Sequence, residues 1–501
     1  MTGPVDLGRS ELLADVVALL VDARAAAPDA RAADVLDDAV RRMGEPLRVA
    51  IAGRVKAGKS TLLNALVGEE LAPTDAGECT RLVTWYRCGL NYRVDLVPRD
   101  GPARECAFRR APALDIDLGG TPLEDVDHLV VSWPSARLEE VTLVDTPGIG
   151  SISTDMAART YDFLADDEPS EADAVLYLLR HLHGSDVRFL EAFHDDDMVN
   201  GTPVNAVGVL SRADEIGGCR LSAMDAAGRV AGRYQDDERV RQLCRMVVPV
   251  AGLLAQGGAT LREEEFRLLA VVARSGHDLV ELLLTADRFV TSAPDLDVTA
   301  DARQKLLARL GLFGVRVALD LIHRGDATSS SELAAALVQR SGITDLREVF
   351  ATQLTGRRDA LKARSSLLAL SSLVRAEGGA GTPWPDPGYW QGRVERILAA
   401  AHEIVEIQLL GDLWLGAVPL RDDDQGREMA RLLGGSGMAA WERLGVPEAT
   451  PAEEQRATAL ATLRRWLAVA EHPLTAGPLR VGARAVARSC EGIVAGLGSP
   501  T

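Results

Sequence analysis

Gly53-Arg54-Val55-Lys56-Ala57-Gly58-Lys59-Ser60 is a complete G-x-x-x-x-G-K-S stretch. An apolar run, Leu47 to Ala52, leads into it, and a helical pattern, Thr61 to Val67, leads out. Strand, glycine loop and helix in that order build a phosphate cradle. The glycines let the backbone wrap close to phosphate oxygens, and the first helical N–H groups point at them with the helix dipole behind. In such a loop Lys59 reaches the β- and γ-phosphates and the Ser60 hydroxyl ligates Mg²⁺. A nucleoside triphosphate is therefore the expected ligand, held by residues Gly53 to Thr61.

Outward from the loop, apolar runs alternate with helical patterns as far as Gly252. Strands are expected at 47–53, 81–88, 92–98, 127–133, 139–145, 173–179, 204–210 and 246–250. Several are continuous apolar runs, as strands buried on both faces of a parallel sheet should be. The expected fold is an α/β doubly wound domain with a mostly parallel sheet. Beyond Gly252 the strand signal vanishes. Leu306, Leu310, Val317 and Leu321, then Leu333, Leu337 and Val338, recur at helical spacing. Further helices fit 344–376, 388–416, 426–436, 451–472 and 478–496, with a Gly- and Pro-rich turn or linker from Glu377 to Gly388.

Ahead of the loop, Leu13, Val16, Val17 and Leu20 mark one amphipathic helix, and a second fits 30–43. These helices need a partner face, which the C-terminal helices can supply. The expected organisation is 1–44 as N-terminal helices, 45–258 as a nucleotide-binding domain and 259–501 as an all-helical bundle.

Composition narrows the classes. A net charge of −18 opposes a general nucleic-acid binder and adsorption of the whole surface to anionic lipid. The cysteines are scattered with no C-x-x-C pair, which opposes a disulfide framework or zinc site and points to a reducing cytoplasm. Met1 to Ser10 is not built like a signal peptide. No run approaches the ~18 apolar residues of a membrane span, so any membrane contact is expected to be peripheral.

Further elements follow in the order of a GTPase. Asp145-Thr146-Pro147-Gly148 ends an apolar strand, where an acid can hold Mg²⁺ and the Gly148 N–H can sense the γ-phosphate. Ser211-Arg212-Ala213-Asp214 ends another. A carboxylate at Asp214 would accept from guanine N1–H and the exocyclic amine, whereas adenine has no donor at N1. Arg212 stands where a lysine is usual and can stack over the base. Ser211 stands where an amide normally ties this loop to the phosphate loop, which predicts weakened nucleotide affinity. The Ala251 backbone, in Val248-Pro249-Val250-Ala251-Gly252, is placed to cap guanine O6. Thr80, with Thr74 as its competitor, is the expected switch threonine closing on Mg²⁺ and the γ-phosphate. The metal set is thus Ser60, Thr80 and Asp145.

The block Lys56 to Gly68, with Pro73-Thr74 and Cys79-Thr80, resembles bacterial dynamin-like GTPases. Ser211 to Gly217, Val248 to Leu254 and Leu310 to Val315 are most similar to the isoniazid-inducible dynamin-like proteins of mycobacteria and their actinobacterial relatives. The resemblance runs nearly the full length. It implies N-terminal helices that join the helical half as neck and trunk, a lipid-touching tip near 356–390, and GTP-driven dimerisation coupled to membrane remodelling. It also implies GTP/GDP and Mg²⁺ as ligands, with self or a paralogous dynamin-like protein as partner.

Hydrolysis is the open point. Ile149 and Val55 occupy the places where relatives carry a water-orienting glutamine. Lys56 lies beside the gap, in a chain whose only other lysines are Lys59, Lys305 and Lys362. Its ammonium could supply the missing charge, or it could be a solvated lysine at the loop tip. Lys56, Lys59 and Thr80 are the side chains expected to act on the transferred phosphoryl group. A poorly hydrolysing GTP-gated scaffold for a partner dynamin-like protein is the alternative. A GTPase acting on ribosome or RNA is disfavoured by the charge.

Lesser signals remain. Arg357, Arg358, Lys362, Arg364 and Arg375, interleaved with leucines, would suit either a lipid face or an ordinary bundle helix. His181 and His183 beside Asp186 lack an evident third metal ligand. Asp195–Asp197 and Asp422–Asp424 read as solvated loops.

Overall fold

The computed structural model describes residues 11–72, 82–110, 114–147, 172–180, 205–241, 244, 246–292, 295–375 and 383–498. Its strands are β1 (Leu47–Gly53), β2 (Val83–Cys88), β3 (Arg93–Pro98), β4 (Arg104–Glu105), β5 (Phe108–Arg110) and β6 (Leu114–Ile116). They continue as β7 (Val126–Trp133), β8 (Val141–Asp145), β9 (Ala174–Leu179), β10 (Ala206–Ser211) and β11 (Val247–Val250). One nine-stranded sheet has the order β11-β10-β9-β1-β8-β2-β7-β3-β4, and β5 pairs with β6 separately. The half from β11 to β8 is parallel throughout, whereas β2 opposes β8 and β3 opposes β7.

Every residue of β1, β9 and β10 is buried, the physical basis of their continuous apolar runs. All expected strands are present with ends shifted by no more than two residues. The expectation omitted β4, β5 and β6, which are only two or three residues long, the first two mostly polar. Ile51 pairs with Asp145 and Gly53 with Leu178, so the phosphate loop leaves the sheet level with the ends of β8 and β9.

The described helices of seven residues or more are α1 (Glu11–Ala25), α2 (Ala30–Arg42), α3 (Lys59–Val67), α4 (Ala223–Asp236), α5 (Gly252–Ala259), α6 (Glu263–Ala273), α7 (Ala300–Arg324) and α8 (Ser330–Arg340). After these come α9 (Ile343–Val349), α10 (Arg358–Arg375), α11 (Pro387–Ala400), α12 (His402–Trp414), α13 (Asp423–Leu432), α14 (Ala452–Glu471) and α15 (Gly477–Gly496). The N-terminal helices do pack on C-terminal ones. Val16, Leu19 and Leu20 of α1 are fully buried in a core shared with Leu361, Leu367 and Leu370 of α10 and Trp390 of α11. Each such side chain contributes roughly 1.5–3 kcal/mol, so this shared core, with α2, ties α1 to α10 and α11.

The helical region is not one bundle. Helices α5 to α8 close their own core around Phe266, Leu306, Phe313 and Leu333. Helices α9 to α11 merge with α1, α2 and one face of the sheet. A third core joins α12 to α15 through Leu410, Met429, Trp466 and Val486. Two helices expected to be continuous are broken at the seams. The 344–376 stretch passes through a π-helical turn, Phe350–Leu354, and a 3-10 turn, Thr355–Arg357. The 388–416 stretch breaks at Ala401, whose ψ is 109°.

Two residues of the basic stretch, Lys362 and Arg357, face a seam between packed elements. Lys362 is 1% exposed and donates to the carbonyls of Arg42, at 2.6 Å, and Glu45. Arg357 is buried and donates to the Leu433 and Gly434 carbonyls at 2.9 and 2.8 Å. Burial pushes Lys362 down to about 8 and Arg357 down to about 10. Beside Lys362, Asp173 pairs with Arg42 at 2.9 Å and accepts the Arg48 N–H at 2.9 Å, joining α2 to the starts of β1 and β9. The acidic run at 422 is also more than a solvated loop. Asp422 caps α13 by accepting from the Gln425 N–H. Among the described residues, no helix is long and apolar enough to cross a membrane.

Candidate nucleotide site

β1 delivers its last residue, Gly53, against β9 at a φ of +145°, where a Cβ would sit 2.9 Å from the Leu178 carbonyl oxygen. Only glycine passes there. Gly58, at φ +97°, opens α3 with no side chain capping it. The first-turn amides of α3 are therefore left for an anion. Lys59 Nζ donates to the Gly53 carbonyl at 3.2 Å and leans on that of Arg54 at 3.5 Å. Burial holds its ammonium below the ordinary lysine value, with Asp145 opposing.

Ser60 Oγ donates to Asp145 Oδ2 at 3.0 Å. Asp145 Oδ1 is buried with no hydrogen-bond partner among the described residues. Burial raises this carboxyl, opposed by the Lys59 charge and the Ser60 bond. A hydroxyl beside a carboxylate with an idle oxygen is the hard-oxygen set that Mg²⁺ prefers, so these residues fit the ion. Thr146 Oγ1 and N–H both reach the Ile51 carbonyl, at 3.0 and 3.4 Å, and fix Asp145 at the strand end. Gly148, Ile149, Thr80, Thr74, His181, His183, Asp186 and Asp195–Asp197 lie outside the described residues.

Asn64, to which sequence reasoning gave no role, is a further anchor. Fully buried on α3, it accepts from the Leu71 and Ala72 N–H groups at 2.9 and 2.7 Å and donates to the Ala72 carbonyl at 2.9 Å. It pins the chain where it leaves α3 toward Thr74 and Thr80. A buried asparagine on an otherwise apolar helix face is the signal that could have found it.

At the base end, Ser211 Oγ turns inward to the Leu179 carbonyl at 3.3 Å. The tie lost there is made by the next residue. Arg212 Nη2 donates to the Lys56 carbonyl at 3.1 Å, and Nη1 to Glu215 at 2.8 Å. Glu215 also pairs with Arg180 at 2.6 Å. The two loops expected to be untied are thus joined by a guanidinium. Lys56 and Arg212 both adopt left-handed φ, +64° and +51°. Such non-glycine conformations cost roughly 1–2 kcal/mol each, and the shared bond helps to hold them.

Between the loops lies a cavity of about 220 Å³ lined by Ala57, Thr61, Val209, Asp214, Val250 and Leu253. Asp214, half-buried, and Glu215 are its acids. Burial raises the Asp214 carboxyl, its own backbone N–H lowers it, Glu215 raises it further and Arg212 counters. The Ala251 N–H already donates to the Ser341 carbonyl at 2.8 Å, so it reaches guanine O6 only by giving up that bond. Gly252, the first residue of α5, lines the cavity instead.

The Gly53–Ser60 loop, the Ser60–Asp145 pair and the cavity beside Asp214 therefore gather at the C-terminal ends of β1, β8 and β10. Over 465 residues the chain is 40% identical to the isoniazid-induced protein IniC of Mycobacterium tuberculosis, covering 92% of each. The chain belongs to the bacterial dynamin-like GTPases. Residues 48–204 of this dynamin-like GTPase match the family model described as 50S ribosome-binding GTPase. It is also 33% identical over 148 residues to the isoniazid-induced protein IniA of M. tuberculosis, covering 28% of this chain and 22% of that one. With a bacterial dynamin-like protein of Nostoc punctiforme it shares 34% identity over 115 residues, 20% of this chain and 16% of that one. A solved structure described as an oligomerised bacterial dynamin pair covers 98% of the chain and is itself covered over 77% of its length. Its identity is 11% and its TM-score 0.31, too loose a likeness to define how the helices are arranged.

Proposed function

We propose that this dynamin-like GTPase binds GTP with Mg²⁺, hydrolyses it slowly, and uses the cycle to drive self-association and contact with lipid. The observation that carries this is the meeting of Lys59, the Ser60–Asp145 pair and the Asp214 cavity in one site. Asp214 selects guanine. Lys59 leaves the loop carbonyls for the β- and γ-phosphates, and the α3 amides hold their oxygens. Ser60, Thr80 and Asp145 hold the metal, which when bound neutralises charge between the β- and γ-phosphates. The Gly148 N–H senses the γ-phosphate. Lys56 has its carbonyl tethered by Arg212 while its side chain is exposed, so the ammonium can swing over the phosphates in place of the missing glutamine.

The organisation proposed is 1–44 with 259–501 as a helical neck and trunk around a 45–258 GTPase domain. Partners are a second copy through the GTPase domain, a paralogous dynamin-like protein, and peripheral lipid on the cytoplasmic face of the plasma membrane. One observation favours a second reading. Val55 is 46% exposed in the phosphate loop and cannot orient water, as a GTP-gated scaffold with little turnover requires. GTP affinity and GTP turnover measured together on wild type and Lys59→Ala test both. Tight binding with turnover, both lost in Lys59→Ala, supports hydrolysis. Tight binding without turnover supports the scaffold.

A further inference from the structure

We propose that α7, which lies outside the sheet domain, positions the guanine-reading carboxylate through the break at Gly311, so that base binding is felt directly by the helical region. The inference rests on Asp214 reading guanine.

Helix α7 is two limbs. Gly311 interrupts it at φ +67° and ψ 172°, a conformation open essentially to glycine alone. The break falls where the helix passes the base cavity. A methyl placed on Gly311 would lie 3.3 Å from Leu253 Cδ2 and 3.9 Å from Asp214 Oδ2. Leu253 is itself a wall of that cavity. The methyl would meet Asp214 in ordinary contact and press on Leu253, and any side chain at this φ would strain the backbone at the break beside both.

The first limb is tied to the chain just past α3 and the second to the loop after Asp214. On the first, Arg309 donates to Glu265 at 2.8 Å and to the Thr260 carbonyl at 2.8 Å, and it pairs with Glu70, two residues beyond C-cap Gly68 of α3. On the second, Arg316 donates to the carbonyls of Gly218 and Cys219, at 2.9 and 2.6 Å, in the loop that follows Asp214. It also holds the Leu283 carbonyl at 3.1 Å. The first limb is also packed closely on α5, where a Cβ on Gly257 would meet the Arg309 carbonyl oxygen at 2.9 Å and the Leu310 side chain at 2.7 Å. Gly311 is the only joint between the two anchored limbs, and it faces Asp214.

Guanine presents two donors to Asp214, N1–H and the 2-amino group, and both carboxylate oxygens must be aligned to use them. Hypoxanthine keeps only the first. A carboxylate moved by the backbone shift that a side chain at position 311 requires would therefore lose preference for guanine over hypoxanthine, which a general loss of stability would not remove. By linkage, a base that engages Asp214 must in turn restrict the joint.

The test uses the full chain. Equilibrium affinities for GDP, IDP and XDP are compared in wild type, Asp214→Asn and Gly311→Ala. Asp214→Asn is expected to lose at least about tenfold in GDP affinity and to gain XDP, because an amide can donate to the xanthine 2-oxygen. If it does neither, the reading of Asp214 fails and α7 has nothing to position. Gly311→Ala is expected to weaken GDP about tenfold and to bring the GDP and IDP affinities together. If Asp214→Asn behaves as expected while Gly311→Ala keeps both affinity and preference, guanine reading stands and the role of α7 is overturned. Hydrogen exchange on wild type covers a variant that fails to fold. Saturating GDP should slow exchange in 309–316 as well as in the phosphate loop, and slowing confined to the phosphate loop overturns the proposal.

Discussion

Replacing Arg212 with alanine should loosen nucleotide binding about tenfold without unfolding the protein. The guanidinium makes a 3.1 Å bond to the Lys56 carbonyl and a 2.8 Å ion pair with Glu215. Hydrogen bonds from a charged donor contribute about 1.5–3 kcal/mol when buried. The Arg212 side chain is 39% exposed, so solvent screening brings the bond to the Lys56 carbonyl to roughly 1 kcal/mol. Its loss also frees two residues held at left-handed φ, so the phosphate loop and base loop no longer arrive preorganised. A total near 1.4 kcal/mol is tenfold in the dissociation constant. Titration with a fluorescent GDP analogue, with a stopped-flow dissociation rate, measures it. Arg212→Lys should recover most of the loss, since an ammonium can still reach the Lys56 carbonyl, though it lacks the fork that also holds Glu215. Affinity within twofold of wild type in Arg212→Ala, at an unchanged melting temperature, would refute the tether.

Lys56→Ala should slow single-turnover hydrolysis at least tenfold while GDP affinity changes little; equal losses in both would make Lys56 a binding residue only. Asn64→Ala strands the Leu71 and Ala72 N–H groups and the Ala72 carbonyl, all buried, and should cost about 3 kcal/mol in urea unfolding. A cost below about 1 kcal/mol would show that the chain rearranges there. Lys362 carries a pH signature. Folded, it releases its proton at about 8, and unfolded at its ordinary 10.5, so between those values the unfolded chain binds more protons. Stability should rise with pH across that window by up to about 3 kcal/mol from this group. In Lys362→Met that rise should vanish, and an undiminished rise in the variant would contradict the assignment.

The sheet was legible because its chemistry is repetitive. Strands buried on both faces must be apolar throughout, and β1, β9 and β10 announce themselves that way. The residues at the ends of β1, β8 and β10 were legible for the same reason, since a motif after such a run has only one place to go. The polar edge strands β4 and β5 carry no such pattern. Helical periodicity located α14 and α15 to within a residue, yet it could not say which helices share a core. Nor could it tell a lysine facing lipid from one facing carbonyls. Lys362 and Arg357 sit among leucines at the same spacing either way, and only packing against the Arg42 and Leu433 carbonyls decides. The Arg212 tether was hidden because it crosses 156 positions of sequence and uses a backbone acceptor. Gly311 lay in plain sight within Leu310 to Val315, but one glycine in a helical pattern does not declare a break.

GTP turnover per molecule, followed as protein concentration is raised with and without anionic liposomes, tests the central claim most directly. If a GTPase domain lacking its own water-positioning glutamine is completed by association, turnover per molecule should be low when dilute and climb with concentration and with lipid. It should be absent in Lys59→Ala throughout. A rate per molecule that stays flat across concentration and lipid would contradict the claim.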